Sequence, residues 1–382
     1  MGSVSLTQAH QRGEKPQGDL LIGAEHELLC INKSGRVPGY EGPSGIGAVL
    51  QALGQALDWA PTMEGEHAIG LQGATASVTL EPGGQLELAG SPLTDLHAVA
   101  DEVRAFHTVL DQIGRDLELQ FFGLGLRPLV PLAGIPTMPK SRYQIMKRVM
   151  PTLGQRSLEM MFCTATVQTN LDYRDETDMA RKFRAAACLS PIVAALFANS
   201  PYQNGRLTGR MTERYAIWDD TDVERSGRFA WMLDQTLTYQ GYTDWAKGLR
   251  LLFLFRNGRY EDAGNTAFAT LFDKGLVDDK DWLQHLGGIF PEVRLKNFLE
   301  LRSADGGCGE IVVALNALWT GLLYDEQALA DALSLCEGWE SASWERMARA
   351  ASQKALAAQT DFGPMLELAT ELLRIADAGL SR

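Results

Sequence analysis

The sequence has few cysteines, and none of them stands in a metal-binding pattern. Its five cysteines include no Cys-x-x-Cys pair, and no His or Cys pair has the spacing of a zinc site. An odd number of scattered thiols in a chain of 382 residues is typical of reduced cysteines in a cytosolic protein. These absences leave an oxygen-bound ion, Mg²⁺ or alternatively Mn²⁺, as the metal to expect.

Long apolar stretches are also missing. No uninterrupted apolar run reaches the roughly 18 residues that a membrane-spanning helix needs. The first residues lack the basic and then apolar organisation of a signal peptide. We therefore expect a cytoplasmic protein that has no membrane partner.

Positive charge is scarce relative to negative charge. The chain has 35 Lys and Arg against 48 Asp and Glu, which gives a formal net charge of -13. A general nucleic-acid binder needs clustered basic residues, so this class of partner is not expected. A nucleotide ligand is still compatible with this charge, provided that cations or a local group of arginines neutralise its phosphates.

Several nucleotide-binding and hydrolytic signatures are absent. The sequence contains no GxxxxGK[ST] loop and no GxSxG elbow. The short run Gly123–Gly125 lacks the rest of a dinucleotide fingerprint. Any phosphate chemistry in this chain must therefore depend on other residues.

Carboxylates do occur where a strand would normally bury hydrocarbon. In segment 20–31, Glu25 and Glu27 are two residues apart and therefore point to one face of a strand, and segment 78–88 carries Glu81 and Glu87. Neighbouring acids on a half-buried sheet need a compensating charge, which a hard cation supplies. The alternative is a pair of exposed edge strands whose acids are solvated.

Two further segments have polar faces. Within 162–173, Gln168 and Asn170 belong to an alternating ladder of amide and hydroxyl side chains, which suits a sheet surface that holds a ligand. Such a ladder is equally typical of a solvated outer face. In 296–303, Glu300 and Arg302 share one face of a strand, and a buried pair of this kind can be purely structural.

Basic residues form two local groups. Lys140 and Arg142 follow a proline-bounded loop, and Arg225 lies in a loop among aspartates. An anionic substrate would use such ammonium and guanidinium donors, although either group could also be an ordinary solvated loop.

The order of elements predicts an α+β fold. Residues 1–18 read as a mobile arm, and strand-like segments follow at 20–31, 78–88, 118–126, 162–173, 249–256 and 296–303. Helical patterns cover 44–58, 94–115 and 176–199, with Pro191 expected to kink the third, and residues 325–380 read as two or three helices. Because regular βα repeats are absent, we expect a mostly antiparallel sheet with one helix-covered face and one working face.

Ordered motifs along the chain resemble the plant and proteobacterial type of glutamate–cysteine ligase. The matching segments are Ile22–Glu27, Leu80–Leu88, Thr166–Asp172, Arg181–Arg184, Ala195–Pro201, Ile217–Asp222, Ile289–Lys296, Ala304–Gly307 and Leu322–Asp325. The resemblance spans roughly 20–330. It implies a glutamine-synthetase-like, curved, mostly antiparallel sheet with helices on its outer face and a helical C-terminal region. Together with the polar composition of the N-terminus and the helical pattern after residue 325, it predicts an arm at 1–18, a catalytic domain at 19–330 and packed helices at 331–382.

The same resemblance implies an ATP- and Mg²⁺-dependent ligase of the glutathione pathway. ATP would phosphorylate the γ-carboxylate of L-glutamate, and an amine, by default L-cysteine, would attack the γ-glutamyl phosphate. These small molecules are the expected partners of a monomer or homodimer. By the family's pattern the metal ligands are Glu25, Glu27, Glu81, Glu87 and Glu300. Nucleotide or substrate contacts fall to Gln168, Asn170, Lys140 and Arg142, and phosphate or carboxylate contacts to Arg294, Arg302 and Arg225.

The chain also departs from the family's pattern. Cys163 stands where relatives usually have Arg, and Cys308–Ile311 replaces a Pro-Trp-Arg-Arg run. Tyr215–Trp218 replaces the end of an Arg-Ser-His-Ile-Trp stretch. A paralogue that uses a different amine is therefore an alternative. A guanidino kinase-like phosphotransferase and a non-catalytic binding protein are the remaining alternatives.

Overall fold

The computed structural model describes residues 6–382. The α-helices are α1 Gln8–Gln11, α2 Ile46–Leu57, α3 Leu96–Leu117, α4 Ser141–Val149, α5 Ser157–Cys163, α6 Glu176–Leu196, α7 Glu213–Trp218, α8 Tyr239–Gly248, α9 Phe268–Asp273, α10 Asp279–Gly287, α11 Gly309–Leu323, α12 Glu326–Leu335, α13 Ser341–Lys354 and α14 Met365–Ser381. Short 3-10 helices occupy Gln17–Asp19, Leu132–Gly134, Met150–Thr152, Ala230–Leu233 and Ala355–Ala357. No helix within 6–382 is both long and apolar enough to cross a membrane.

Strands make one large sheet and four small ones. The strands are β1 Ile22–Asn32, β2 Ala60–Glu64, β3 His67–Gln72, β4 Ser77–Leu80, β5 Leu86–Ala89, β6 Leu119–Phe122, β7 Val167–Leu171, β8 Tyr202–Gln203, β9 Arg206–Leu207, β10 Ser226–Gly227, β11 Phe253–Arg256, β12 Arg259–Asp262, β13 Phe290–Pro291, β14 Val293–Leu295, β15 Leu299–Leu301, β16 Gln359–Thr360 and β17 Gly363–Pro364. The large sheet has the order β14-β15-β7-β1-β5-β4-β3-β2, and β6 also pairs with β1. All pairs in this sheet are antiparallel. The predicted α+β class with a mostly antiparallel sheet is confirmed.

The central strand β1 separates a helix-covered face from a polar face. Its Ala24 and Leu28 are buried among the apolar residues of the core. His26 points the same way, and its ring lies 5.7 Å from that of Phe106 in α3. Because side chains alternate along a strand, Glu25 and Glu27 must point to the other face.

Helix α3 shows how the sequence specifies the covering layer. Val99, Val103, Phe106 and Leu110 recur at helical spacing and are buried. The side chain of Asp95 caps the helix by accepting from two backbone N–H groups of its first turn. The apolar stripe predicted at 94–115 therefore packs α3 onto the outer face of the sheet.

Two predicted strands prove to be composite. Segment 78–88 forms the hairpin of β4 and β5, because Pro82 cannot donate to a ladder and Gly84 takes a left-handed φ of 79° in the connecting turn. This places Glu81 in the turn instead of on a strand. Segment 162–173 begins in α5, and strand β7 starts only at Val167.

Other predicted boundaries also change. Segments 118–126, 249–256 and 296–303 contain shorter strands than expected, namely β6, β11 and β15. Helix α6 continues through Pro191 and ends at Leu196. The hairpin of β2 and β3 and the helices α4, α5 and α7–α10 were not expected from the sequence.

The N-terminal segment is packed where the structure describes it. Leu6 and His10 are buried, and the Trp282 indole N–H donates to the Leu6 carbonyl at 3.2 Å. His10 Nδ1 lies 3.0 Å from the Lys296 carbonyl, and the Tyr173 hydroxyl donates to the His10 carbonyl at 2.7 Å. These contacts correct the expectation of a mobile arm for residues 6–18, because an apolar side chain and a ring dock into the core. Residues 1–5 lie outside the described residues.

Three helices follow residue 325, as expected. Helix α13 packs on α6, and α14 packs on α11. Leu329, Trp344 and Leu372 belong to the same apolar cluster as Val167 and Leu171 of the central sheet. The C-terminal helices thus share their apolar core with the rest of the chain. The predicted boundary at residue 330 between a catalytic domain and C-terminal helices stays a prediction.

Candidate functional site

A cavity opens on the polar face of the large sheet, and its empty space, which includes a part open to solvent, is about 880 Å³. Its polar lining consists of Glu27, Glu81, Gln85, Glu87, Arg142, Tyr143, Thr164, Gln168, Arg294 and Arg302. Its apolar lining consists of Pro82, Met146, Met160, Met161, Trp218, Leu252, Phe253 and Phe290, together with Gly287 and Gly288. This mixture of apolar and polar side chains is typical of sites for small molecules.

Three acids line the cavity close together. Glu27 of β1 and Glu87 of β5 stand directly opposite each other in the antiparallel register. Glu81 follows from the neighbouring β4–β5 turn. The Thr79 hydroxyl donates to Glu87 Oε2 at 2.6 Å and is also 3.5 Å from Glu81 Oε1. We call Glu27, Glu81 and Glu87 the acid trio.

The acid trio is poorly compensated within the protein. Burial raises the pKa of Glu27 well above its ordinary value, and the carboxylates of Glu87 and Glu81 raise it further. Burial and Glu81 likewise raise the pKa of Glu87. The partly opposing charges of Arg214 and Arg302 do not cancel these effects at Glu27. Oxygen donors that destabilise one another in this way have the chemistry of a Mg²⁺ or Mn²⁺ site.

The five predicted metal ligands are not all brought together. Within residues 6–382, no three His, Cys, Asp or Glu side chains are arranged around one point as a bound ion would require. The acid trio lines the cavity, whereas Glu25 and Glu300 do not. Of the predicted ligands, Glu27, Glu81 and Glu87 share the cavity wall and have the carboxylate chemistry of a Mg²⁺ site, but they do not converge on one point.

Glu25 lies behind the cavity wall. It accepts hydrogen bonds from Gln168 Nε2 at 3.2 Å and from Asn170 Nδ2 at 2.7 Å. Burial, followed by the charges of Glu300 and Glu87, raises the pKa of Glu25 to about 7. Asn170 is absent from the cavity lining as well, so its direct contact with a ligand is not supported by this geometry.

Glu300 is surrounded by basic groups. Its Oε1 accepts from Arg294 Nη2 at 2.6 Å and from Arg302 Nη1 at 3.0 Å, and its Oε2 bonds to Arg294 Nε. Lys296 Nζ is 3.5 Å away. Burial alone would raise the pKa of Glu300, but these cations hold it well below the usual range. This corrects its predicted role, because both carboxylate oxygens are already occupied by guanidinium donors.

Arg294 and Arg302 line the cavity as predicted. Arg294 also donates to the carbonyls of Gly287 and Ile289, so its orientation is fixed. Arg302 Nη1 donates to Gln168 Oε1 at 2.5 Å, and its guanidinium lies 5.6 Å from the centroid of the Trp218 ring. We call these two arginines and the buried Glu300 the arginine pair with its anchor.

Arg225 lies outside the cavity. Its Nε donates to Asp222 at 2.6 Å, and its other donors contact the carbonyls of Gly288 and Arg250. The sequence-based placement of Arg225 at the site is therefore corrected, since this side chain is buried and its donors join three loop segments.

The predicted basic group at 140–142 is divided. Arg142 lines the cavity, and its Nη2 is 4.0 Å from Glu81 Oε1. Lys140 is buried beside Tyr143, with Nζ 3.4 Å from the hydroxyl, and it does not line the cavity. Burial, and then the charge of Arg142, lowers the pKa of Lys140 to about 8.

A smaller side pocket of about 230 Å³ adjoins the arginine pair and was not predicted. Trp218, Phe290 and Arg302 line both spaces. The side pocket adds Glu292, whose pKa is raised by burial, and Arg214, whose Nε has no hydrogen-bond partner. Glu292 lies within the family-like segment Ile289–Lys296, which was a sequence signal for this region, whereas Arg214 lies outside the matching segments.

The fold of this chain has a counterpart among solved structures. Across 96% of this chain and 78% of the other, it superposes with a TM-score of 0.52 on the glutamate–cysteine ligase of Francisella tularensis, which was solved in complex with AMP. At 12% identity this likeness concerns the fold alone. The glutamine-synthetase-like fold class implied by the motifs is confirmed.

The family is more specific than the fold. Residues 21–380 match the family described as glutamate-cysteine ligase family 2, and the chain belongs to it. It is 38% identical over 378 residues to the chloroplastic glutamate–cysteine ligase B of Oryza sativa subsp. japonica, covering 97% of this chain and 76% of that protein. The chloroplastic enzyme of Brassica juncea is 38% identical over 369 residues, with 94% and 71% covered. The family resemblance seen in the sequence is confirmed.

Proposed function

We propose that this protein is an ATP- and Mg²⁺-dependent ligase that makes γ-glutamylcysteine from L-glutamate and L-cysteine. The observation that carries the proposal is the cavity in a member of this ligase family, with the acid trio on one part of its wall and the arginine pair on another. In the first step the γ-phosphoryl group of ATP passes to the γ-carboxylate of glutamate and ADP leaves. Because both substrates are anionic, this step needs charge neutralisation more than covalent help from the protein.

The acid trio would hold the metal. When bound, Mg²⁺ neutralises phosphate oxygens and helps to orient them for in-line transfer. Glu27, Glu81 and Glu87 offer carboxylate oxygens at the wall of the cavity. The raised pKa values of Glu27 and Glu87 reflect burial first and then repulsion between the acids, which the protein leaves as a deficit of positive charge. A cation from solution would remove that deficit.

The arginine pair would hold an anionic group at the reacting end. Arg294 is oriented by Glu300 and by two backbone carbonyls, so few rotamers have to be restricted when a ligand binds. Arg302 is held by Gln168 and Glu300. Guanidinium groups fixed in advance suit a γ-carboxylate that is gaining a phosphoryl group.

The apolar part of the cavity would receive the base of ATP. Met146, Met160, Leu252 and Phe253 provide this surface, and Arg142 stands near it on the same helix as Met146. Methionines adapt their shape to a flat ring, and a nearby guanidinium can contact phosphate oxygens.

Residues around the side pocket would bind an amino-acid head group that lies in the adjoining cavity. An α-ammonium group would pair with Glu292, whose nearest basic partner, Arg228 Nη1, is 3.5 Å away. An α-carboxylate would pair with the unpartnered Nε edge of Arg214 or with Arg302. The pocket adjoins the arginine pair. A glutamate whose head group lies beside it can extend its γ-carboxylate to the arginine pair, where we propose that the reaction occurs.

Release of ADP tests the proposal. The purified protein is incubated with Mg²⁺, ATP and L-glutamate against a panel of amines, and the product is identified by its mass. We expect ADP and γ-glutamylcysteine only when L-cysteine is present. If ADP is released only with another amine, L-cysteine is not the acceptor, and the protein is instead a paralogous γ-glutamyl ligase. If the protein turns over no amine and does not bind ATP, the proposal that it is an enzyme is wrong. Cytoplasmic location and oligomeric state stay predictions.

A further inference from the structure

Arg127 is a buried cation beneath the wall of the cavity. It is 2% exposed and does not line the cavity. Each of its three side-chain nitrogens donates to a different backbone carbonyl: Nε to Phe162 at 3.1 Å, Nη1 to Cys30 at 3.1 Å and Nη2 to Gly83 at 2.8 Å. The planar guanidinium fork can satisfy three acceptors in different directions at once.

The three carbonyls belong to three segments that build the acid-bearing part of the wall. Cys30 lies on β1 three residues beyond Glu27, and Gly83 lies in the β4–β5 turn two residues beyond Glu81. Phe162 lies near the end of α5, directly after the cavity-lining Met161. One side chain thus ties together the elements that place two members of the acid trio and part of the apolar lining.

Gln85 completes this link from within the turn. Its Nε2 donates to the carbonyls of Thr164 at 2.8 Å and Met161 at 3.3 Å, and its Oε1 accepts from the Gly83 N–H at 2.9 Å. At Gly83 an added Cβ would lie 2.5 Å from the Phe162 carbonyl oxygen, so the turn and α5 are in close contact. The turn that carries Glu81 is therefore held from both sides.

Arg127 has no acidic partner among the described residues, since none of the ion pairs in 6–382 includes it. Its only ionisable neighbours are the buried thiols of Cys30 and Cys163. Burying an unpaired cation is costly, and a neutral side chain could fill the same space at lower cost. What the guanidinium supplies in return is the fixed spacing of three backbone segments.

We infer that Arg127 is a positioning residue that sets the distance of the Glu81 turn from β1 and α5. That distance, in turn, determines the affinity of the protein for the metal–nucleotide complex. This inference rests on the proposed function, because it takes the acid trio as the metal-binding wall. Arg127 touches no substrate. Its loss should weaken nucleotide binding while leaving the contacts of the arginine pair, and hence glutamate binding, largely intact.

The test uses the full chain with Arg127→Gln and Arg127→Lys. Titration calorimetry measures the Kd of a non-hydrolysable ATP analogue with Mg²⁺, and steady-state kinetics measure KM for ATP and for L-glutamate. We expect Kd and KM for ATP to rise about tenfold or more in Arg127→Gln, as when a residue that supports metal ligands is removed. KM for glutamate should change less than about threefold. Arg127→Lys keeps the charge and should restore part of the lost affinity.

Arg184→Gln is the matched control. This arginine also donates to a backbone carbonyl, that of Leu233 at 3.0 Å, but lies on α6 away from the cavity lining. Its substitution should leave both nucleotide and glutamate constants unchanged. If Arg127→Gln does not fold, Arg127→Lys carries the test, with the same direction of change expected in Kd.

The outcomes separate the inference from the proposed function. If the unmodified protein binds the nucleotide and both Arg127 variants bind it equally well, the positioning role is wrong. Equal losses in ATP and glutamate constants would also contradict it, because they would indicate a general loss of structure. If the unmodified protein binds no nucleotide, the proposed function fails first.

Discussion

The acid trio and the arginine pair with its anchor both lie at the polar face of the large sheet. The carboxylates of the acid trio have little positive charge around them, whereas the carboxylate of Glu300 is surrounded by it. Glu27 and Glu87 face each other and Glu81, and burial with mutual repulsion raises the pKa of both strand acids. Glu300 is buried more completely than Glu27 or Glu87, yet Arg294, Lys296 and Arg302 hold its pKa well below the usual range. The difference distinguishes a carboxylate that serves the fold from one that lacks a partner and therefore suits a ligand cation.

The largest effect should follow from removing the compensated acid. Glu300→Gln leaves Arg294 and Arg302 buried without their counter-charge, so we expect a loss of about 3–5 kcal/mol in the free energy of unfolding. Urea denaturation followed by circular dichroism measures it. The exposed Glu118→Gln, whose partner is Lys33, is the control and should change stability by less than about 0.5 kcal/mol. A Glu300→Gln protein as stable as the parent would contradict the comparison.

The next effect concerns activity without loss of fold. Glu27→Gln removes a charge that has no basic partner within ion-pair distance among the described residues, so the unliganded protein should be as stable as the parent or more so. Its kcat/KM for ATP should fall by about 10²–10³-fold, since the metal loses a ligand and the phosphates lose charge neutralisation. Coupled ADP assays and thermal melts measure the two quantities. Full activity in this variant would mean that the acid trio is not the metal site.

Adding Mg²⁺ should reveal the same contrast. In the proposed function the ion binds the acid trio in the folded protein only, so at about 100 times its Kd it should stabilise the parent by about 2.7 kcal/mol. Glu87→Gln should lose most of that gain, whereas Glu118→Gln should keep it. Thermal melts over a Mg²⁺ series at pH 8 give the comparison. An equal gain in Glu87→Gln would place the ion elsewhere.

The smallest effect is a pH dependence of the metal-free protein. Glu25 has a pKa of about 7 in the folded state against an ordinary value of 4.5, so the folded state binds more protons than the unfolded state between these values. Stability should therefore fall as pH rises from about 4.5 to about 7, and Glu27 and Glu87 act in the same direction. Glu25→Gln should flatten this part of the profile. Melting temperatures that rise across this range in metal-free buffer would contradict the assignment.

Part of the site was predictable because it depends on local periodicity. Alternation along β1 put Glu25 and Glu27 on one face, and the structure keeps that face apart from His26. The same alternation failed at 78–88, where Pro82 and the left-handed Gly84 turn the chain and move Glu81 off the strand. The rule that every second side chain points to the same face of a sheet applies only within a continuous strand.

Other parts depend on contacts that no local pattern encodes. The pairing of Arg294 with Glu300 arises from the β14–β15 register, and it decides that Glu300 is an anchor. Met160 and Leu252 look like ordinary core residues, although they line the cavity. For Arg225 a local signal did exist, since Asp222 three residues earlier offered a structural partner.

The N-terminal docking described above has a consequence for the order of folding. The ribosome makes β1 first, but its hydrogen-bonded neighbour Asn170 is 145 residues from Glu25, and the carbonyl that receives His10 is 286 residues away. The edge of β1 that pairs with β7 must therefore wait unpaired until much of the chain has been synthesised, whereas its other edge can pair earlier with β5. Such long-range pairing folds slowly and exposes aggregation-prone surface, so the nascent chain of this protein should depend on chaperones more than a helical chain of equal length.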